Sequence, residues 1–276
     1  MNPLFAFFAG GSSAVYGFVI LFVAIGVELI RPPGKLIWRW SERVLALTAA
    51  VFILAGSPPA AGWLLAGWVV FFILWRLESN SGFLKRFKLR IPVIAVFLFL
   101  SLLLGFNLIT AFLAPPGLQE WPPRVVVIGD SLTAGIAGDG VDQYWPQIVA
   151  RQTGAKVEIL ARPGALLADG RWQLDNFTGS SNEKSVYLVL LGGNDILGPA
   201  DPRRFSRDLD DLYSALEGEL IYAFEIPLPP FNSKFALIQQ RLAAAYEVNL
   251  IPRRYLAALL AGKDNTIDGI HLNSEG

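Results

Sequence analysis

The sequence predicts an α/β domain with a parallel sheet, preceded by an all-α transmembrane region of about four helices. Two observations support this division. Residues 1–115 contain nearly all the long apolar runs, whereas residues 116–276 have the composition of an ordinary globular domain. Within the second part, short apolar strands alternate with helices, and that alternation is typical of a parallel sheet covered on both faces.

The overall composition excludes several classes of function. The chain of 276 residues is 53% hydrophobic and only 17% charged, and its mean hydropathy is +0.46. Soluble domains carry about 25% charged residues. Basic and acidic residues balance, so no basic surface indicates nucleic acid. The absence of Cys excludes disulfides and thiolate catalysis, and the single histidine, His271, excludes a zinc site with several His ligands. We expect no metal and no cofactor.

The first part contains four candidate membrane spans. A bilayer core needs about 20 apolar helical residues, and residues 11–30 and 91–114 have this length. The uncharged stretch 44–75 is too long for one span, and Pro58 and Pro59 divide it. We therefore predict spans at about 11–30, 44–58, 60–76 and 91–114. A re-entrant hairpin is the alternative for the middle pair.

Basic residues alternate between the predicted loops. Four lie between the first and second spans and five between the third and fourth, whereas residues 57–60 and 115–123 contain none. The positive-inside rule then predicts that both termini lie outside. We expect a multi-pass protein of the inner (cytoplasmic) membrane, with the lipid bilayer as a partner and the C-terminal domain on the periplasmic or extracytoplasmic side. Residues 1–14 lack Lys and Arg, which argues against a cleaved signal peptide.

A proline-rich linker, residues 115–123, leads into the globular domain, residues 124–276. Runs of apolar, often β-branched residues predict its strands. The predicted strands are 125–128, 156–161, 185–191, 220–226 and 249–252. The predicted helices are 144–153, 201–216 and 233–246. In parallel sheets, active groups gather in the loops at the carboxyl ends of the strands.

The first such loop contains Gly129-Asp130-Ser131-Leu132. Ser131 is predicted at a strand end beside a helix N-terminus, where its hydroxyl is exposed and backbone N–H groups point at whatever reacts with it. We expect Asp130 to accept backbone N–H bonds rather than to transfer protons. Taken alone, this block is better explained as a capped turn between a strand and a helix.

Three further blocks follow in order along the chain. Arg162-Pro163-Gly164-Ala165 follows the second strand, and Gly192-Gly193-Asn194-Asp195 follows the third. Near the end, Asp268 and His271 are three residues apart, so the carboxylate can bond the imidazole and fix its tautomer. Each block alone has an ordinary structural alternative, because Gly, Asn and Asp favour turns and a lone His is common on surfaces and in cores.

Together, the four blocks resemble the SGNH (GDSL) hydrolase superfamily, and in particular its extracytoplasmic thioesterase, lysophospholipase and arylesterase branch. The resemblance implies a three-layer, flavodoxin-like domain. It implies that Ser131 is the nucleophile, that His271 is the general base and then acid, and that Asp268 orients His271. It also implies an oxyanion hole formed by the backbone N–H groups of Ser131 and Gly164 and the side-chain amide of Asn194.

Two features depart from the family pattern. Arg162 and Pro163 precede Gly164, where the family usually has small or polar residues around an Asn. The sequence also stops five residues after His271, where the family normally continues into a helix. We expect either that the chain continues beyond Gly276 or that this domain lacks a covering element.

The resemblance implies a membrane-anchored serine esterase that hydrolyses acyl esters or thioesters, with a small-molecule or lipid acyl ester as substrate. The alternatives are an O-acetylesterase or acyltransferase acting on cell-envelope glycan, and a catalytically silent module whose spans carry the function. Apolar residues at 228–231 favour acyl chains slightly. We expect these residues, with Ala134, Ile136 and Pro227, to line the acyl pocket.

Overall fold

The structure is a computed structural model. It describes residues 1–30, 36–81, 90–115, 117–118, 120–135, 144–178, 184–199 and 201–276. Ile136 and most of the basic residues in the predicted loops lie outside these ranges.

Among the described residues, five helices precede the sheet. They are α1 (Pro3–Ala9), α2 (Ser12–Ile30), α3 (Leu36–Ala55), α4 (Gly62–Ser81) and α5 (Arg90–Phe112). Helices α2 and α3 approach closely because Gly17 has no side chain: a Cβ there would lie 2.8 Å from the side chain of Ile53. Helices α4 and α5 are joined by the Trp68 indole, which donates to the Ser101 hydroxyl at 2.9 Å.

Two of these helices are long and apolar enough to cross a membrane, over Ser12–Ile30 and Ile91–Phe112, and α4 has a shorter apolar part, Gly62–Leu77. The predicted start of the second span at residue 44 is wrong as a helix boundary, because α3 begins at Leu36 and continues through three charged residues. Charged residues end an apolar stretch, but they do not end a helix.

The globular half contains one five-stranded parallel sheet with the order β2-β1-β3-β4-β5. This is the flavodoxin-like order that the resemblance implies. The strands are β1 (Arg124–Gly129), β2 (Lys156–Ile159), β3 (Ser185–Leu190), β4 (Leu220–Phe224) and β5 (Asn249–Ile251). In the register, Val125 pairs with Val157 on one side and Val186 on the other. All five predicted strands are confirmed, and four of them end one to two residues earlier than predicted.

In the part of the globular half that the structure describes, seven helices accompany the strands. They are α6 (Ser131–Ala134), α7 (Trp145–Thr153), α8 (Leu167–Asp175), α9 (Gly193–Leu197), α10 (Pro202–Ser214), α11 (Ser233–Ala245) and α12 (Arg253–Ala261). The three predicted helices are confirmed as α7, α10 and α11, whereas α8, α9 and α12 were not predicted. The larger apolar core joins one sheet face to α8, α10, α11 and α12.

The opposite sheet face has a smaller core around Val125, Val127 and Val186, against which Trp145 of α7 packs. Part of this face forms an apolar groove of about 350 Å³ between the linker, α7 and the last strands. The described residues thus cover this face only partly.

The two halves meet through buried polar groups. The Arg253 guanidinium donates to the backbone carbonyls of Gly56 and Ser57, at 2.8 Å each, in the turn between α3 and α4. The Ser57 hydroxyl donates to the carbonyl of Pro229 at 3.1 Å and accepts from the backbone N–H of Asn232 at 2.8 Å. These contacts fix the loop after β4 against the helical half.

Candidate active site

The turn after β1 presents Ser131. Gly129 ends the strand, and a Cβ at this position would lie 2.3 Å from the Thr133 hydroxyl, so the turn closes only around glycine. Asp130 caps α6, and its Oδ1 accepts from the backbone N–H of Leu132 at 2.9 Å. The prediction that Asp130 braces this loop is confirmed.

A second turn carries Asp268 and His271. Asp268 Oδ1 accepts from the backbone N–H groups of Ile270, at 3.0 Å, and His271, at 2.8 Å. Its Oδ2 lies 2.6 Å from His271 Nδ1. These hydrogen bonds hold the pKa of the Asp268 carboxyl well below its usual range, so the group stays ionised at neutral pH.

The two turns meet at the edge of the sheet. His271 Nε2 lies 3.2 Å from the Ser131 hydroxyl oxygen. Because Nδ1 faces a carboxylate, we assign the ring proton to Nδ1, and the lone pair of Nε2 is then free to accept from the hydroxyl. The structure thus joins Ser131, His271 and Asp268 into one chain of hydrogen bonds.

Gly164 and Asn194 follow β2 and β3, the two strands on either side of β1. Gly164 adopts a left-handed conformation, with φ of 75°, which glycine accommodates without strain. The Asn194 side-chain N–H donates to the carbonyl of Ala165 at 2.9 Å and lies 3.5 Å from Asp130 Oδ2. Neither the backbone N–H of Ser131 nor that of Gly164 donates to another described residue. These two amides therefore remain available to a ligand.

Three supporting side chains were not predicted. Asp195 accepts from the backbone N–H of Leu167 at 2.9 Å, and Gln173 donates to the carbonyl of Gly129 at 3.0 Å. Trp145 donates its indole N–H to the carbonyl of Leu132 at 3.1 Å. They tie the loops of the site to α7 and α8. Leu167 and Gln173 belong to α8, a helix that the sequence pattern did not predict.

Burial changes the electrostatics of Asp130. Removal from water raises the pKa of this carboxyl to about 6, and this outweighs the opposing effects of the Leu132 N–H and of nearby His271. Asp130 is 4% exposed. A buried acid with this pKa changes its charge in the same pH range as an ordinary histidine.

Two cavities adjoin the turns. A narrow cleft of about 90 Å³ lies beside Ser131 and His271, against Tyr144 and Trp145. A larger cavity of about 430 Å³, mostly apolar, reaches the residues on either side of Ser131.

The predicted acyl pocket is found only in part. Pro227 and Pro229 line the larger cavity, whereas Leu228 is buried in the core and Phe231 is exposed. Ala134 lines neither cavity. Ile136 lies outside the described residues.

Among the residues that the structure describes, no group of three or more His, Cys, Asp or Glu side chains could hold a metal ion.

The globular half is similar to a known protein family. The model of the GDSL-like Lipase/Acylhydrolase family matches residues 127–276, which is more than half of the chain. No curated protein matches the chain.

Solved structures similar to the chain include TesA and two esterases. TesA is 22% identical over 55% of this chain and 90% of its own, with a TM-score of 0.49. The psychrotrophic esterase EstA from Pseudoalteromonas sp. is 17% identical over 55% of this chain and 89% of its own, with a TM-score of 0.49. AlinE4, an SGNH-hydrolase family esterase, is 24% identical over 57% of this chain and 88% of its own, with a TM-score of 0.46.

The family match extends from β1 to the end of the sequence and includes both turns of the site. The chain therefore belongs to the GDSL-like Lipase/Acylhydrolase family and is a carboxylic ester hydrolase of the SGNH type.

Proposed function

We propose that this protein is a membrane-anchored serine esterase that cleaves acyl esters or thioesters. One observation carries the proposal: the His271 imidazole bonds Asp268 through Nδ1, at 2.6 Å, and faces the Ser131 hydroxyl through Nε2, at 3.2 Å. A serine hydroxyl needs such a base to act as a nucleophile at neutral pH. In this arrangement the base is itself oriented by a carboxylate, as in other serine hydrolases.

The proposed first half of the reaction uses these two contacts of His271. Ser131 Oγ attacks the carbonyl carbon of the substrate, and His271 Nε2 takes the hydroxyl proton. The imidazolium that forms is stabilised by Asp268, whose carboxyl stays ionised because its pKa is held low. His271 then protonates the leaving alcohol or thiol, which leaves an acyl group on Ser131.

Water completes the second half. His271 Nε2 accepts a proton from a water molecule that attacks the acyl carbon, and the proton returns to Ser131 Oγ when the carboxylic acid leaves. Both steps place a negative charge on the former carbonyl oxygen. The backbone N–H groups of Ser131 and Gly164 and the amide of Asn194 are the proposed donors to it. Such donors contribute roughly 3–4 kcal/mol each.

The membrane location is supported by the surface of the helices. Each of α2, α3, α4 and α5 exposes large apolar side chains, for example Phe22, Leu47, Ile73 and Phe106, which are at least half exposed. A water-soluble domain rarely exposes such a continuous apolar surface. We propose that all four helices lie in the bilayer, although α3 has charged residues near its start.

The outward orientation is supported by the contacts between the halves. The globular half contacts Ala9 before α2, the turn at Gly56 and Ser57, and Phe112 at the end of α5. The pattern of basic residues assigns all three positions to the outer side. We therefore propose that the catalytic domain lies on the extracytoplasmic face of the cytoplasmic membrane.

The test uses the full chain in detergent and chromogenic acyl esters. We expect Ser131→Ala to lower kcat/KM by about 10⁴-fold or more, because both halves of the reaction need the hydroxyl. Ser214→Ala, a surface serine on α10 whose hydroxyl bonds a backbone carbonyl, is the matched control and should retain activity. Retained hydrolysis in the folded Ser131→Ala variant would refute the proposal.

Labelling of Ser131 also tests on which side of the membrane the catalytic domain lies. In cells whose cytoplasmic membrane is accessible from outside, a membrane-impermeant fluorophosphonate probe should label the wild type as fully as a permeant one. Labelling by the permeant probe alone would contradict an extracytoplasmic site. Slow hydrolysis that accelerates only with a glycan acceptor would favour the acyltransferase alternative, and cleavage restricted to acetyl esters would favour the O-acetylesterase.

A further inference from the structure

The larger cavity adjoins the two turns that carry Ser131 and His271, and its wall is formed by residues next to them in the chain. Its wall includes Asp130 and Leu132, which flank Ser131 in the chain, and Gly269 and Ile270, which precede His271. Its volume, about 430 Å³, falls within the usual range for small-molecule sites. Most of the remaining wall is apolar, and the apolar side chains of the globular half that form it include Leu190, Ile196, Leu197, Ile226, Leu256 and Leu260.

The globular half does not enclose this cavity alone. Met1, Asn2 and Phe5, in and just before α1, complete the wall. The Phe5 ring is 42% exposed, and Leu197 and Ile270 are also exposed. Lining residues that reach solvent mark the mouth of a cavity, so Phe5 lies where the cavity opens. A side chain of the helical half thus stands beside the catalytic turn.

Helix α1 is held in this position by contacts with the globular half. The carbonyl of Ala9, at its end, accepts from the backbone N–H of Leu228 at 3.1 Å. A Cβ at Gly10 would lie 3.1 Å from the Cβ of Ala257, so α1 and α12 approach as closely as glycine permits. The hydrogen bonds from Arg253 to Gly56 and Ser57 fix the neighbouring turn. Phe5 is therefore on a fixed element.

We propose that α1 is part of the acyl-binding site, and that Phe5 determines which acyl chains the enzyme accepts. This inference rests on the proposed function of Ser131 and adds the substrate class, an ester of an apolar acyl chain longer than acetyl. The acyl chain occupies the cavity between Ile226, Leu256 and Phe5, with its carbonyl carbon at the Ser131 hydroxyl. Burial of each methylene in such a cavity contributes about 0.8 kcal/mol.

The position of α1 also explains how a lipid ester would reach the site. Helix α1 leads through Gly10 and Gly11 into α2, the first proposed span. The mouth of the cavity therefore lies near the bilayer surface, and an acyl chain leaving the outer leaflet meets Phe5 first.

The experiment compares acyl lengths in the full chain. We expect Phe5→Trp, which fills the mouth, to lower the ratio of kcat/KM for lauroyl over butyryl esters by about tenfold. The butyryl ester serves as the internal reference of this ratio, because its short chain does not reach the mouth. Phe5→Ala should shift the preferred chain to a longer one.

Leu4 provides the matched control, because it lies on the same helix, is 67% exposed and does not line the cavity. Leu4→Trp and Leu4→Ala should leave the ratio within about twofold, in keeping with the small effects of surface changes. The inference is overturned if Phe5→Trp and Phe5→Ala leave the acyl-length profile unchanged, or if the Leu4 variants change it equally. In those cases Ser131→Ala would still abolish hydrolysis, so failure of this inference differs from failure of the proposed function.

Discussion

The two halves of this chain place their apolar side chains in opposite ways. Among the described residues, 27 large apolar side chains are exposed before residue 116, and only 8 are exposed after it. The globular half buries its strands completely at Val125, Val126 and Val127, whereas α2 and α3 bury several small residues, such as Ala14, Ala46 and Ala49. The same residue types therefore face outward in one half and inward in the other.

The proposed membrane location of the helical half accounts for this difference. In water, burial of apolar area stabilises the fold by about 25 cal/mol per Å², so the sheet is covered by helices. In a bilayer that gain is absent between helices, and close packing of small residues holds them together. Where the halves meet, α1 packs against α12, and beside this packing Arg253, Ser57 and the backbone form hydrogen bonds between the halves. These hydrogen bonds form a polar joint between two apolar regions.

Arg253→Met is expected to have the largest effect on this joint. The change removes the buried donor from the carbonyls of Gly56 and Ser57 and leaves Glu225, 1% exposed, without its neighbouring cation. Breaking such a buried pair costs about 3–5 kcal/mol, or on the order of 10 °C in the unfolding midpoint. Tryptophan fluorescence during heating in detergent measures this midpoint. Arg241→Met, at an exposed site on α11, should leave it nearly unchanged, and equal midpoints for both variants would contradict the importance of the joint.

Asn194→Ala should affect the chemistry of the globular half and not the joint. Loss of one oxyanion donor lowers kcat by about 10²–10³-fold, equivalent to about 3–4 kcal/mol. KM should change little, because the negative oxygen exists only in the transition state. Steady-state kinetics with a chromogenic ester measures both. Asn176→Ala, which removes a surface amide that donates to a backbone carbonyl, is the control. A kcat of the Asn194→Ala variant within about threefold of the wild type would contradict a role of Asn194 in the oxyanion hole.

The smallest expected effect is a pH dependence of stability from Asp130. Its folded pKa, about 6, lies above the usual value near 3.9 of an unfolded aspartate. The folded state therefore holds the proton more tightly, and stability declines as pH rises from about 4 to about 6, by up to about 3 kcal/mol. Asp130→Asn has no charge to bury and should lack this decline. Unfolding midpoints of both proteins across this range give the difference, and parallel pH curves would show that Asp130 is not responsible.

The sequence was sufficient for the sheet and for the contacts among Ser131, Asp268 and His271. Continuous apolar runs such as Val125–Ile128 identify buried strands, and the spacing of Asp268 and His271 makes their contact local. Helix α8 was not predicted because Gly170 interrupts its pattern. In the structure, that glycine allows close packing: a Cβ there would lie 2.8 Å from the Leu191 side chain. Glycine has a low helix propensity, and the packing of Gly170 against Leu191 outweighs this destabilisation.

The joint and the wall of the cavity could not be predicted in the same way. Phe5 and Arg253 have no local pattern that distinguishes them, since an aromatic residue near a span and an arginine at a helix start are ordinary. Their roles depend on segments from the two ends of the chain that meet only in the folded protein. The predicted acyl pocket was therefore limited to residues near the four sequence blocks and in the loop at 227–231. It also included Ala134, which lines neither cavity.

The hydrogen bond between Ala9 and Leu228, and the packing of Gly10 against Ala257, have a consequence for biosynthesis. Ala9 and Gly10 are synthesised long before Leu228 and Ala257. Contacts between residues so far apart in the chain form slowly compared with a local helix. With the proposed membrane topology, the proposed acyl pocket is thus assembled late, after the helices have inserted and the globular half has been exported. We expect partly folded molecules to lack activity on lipid esters until α1 packs against α12.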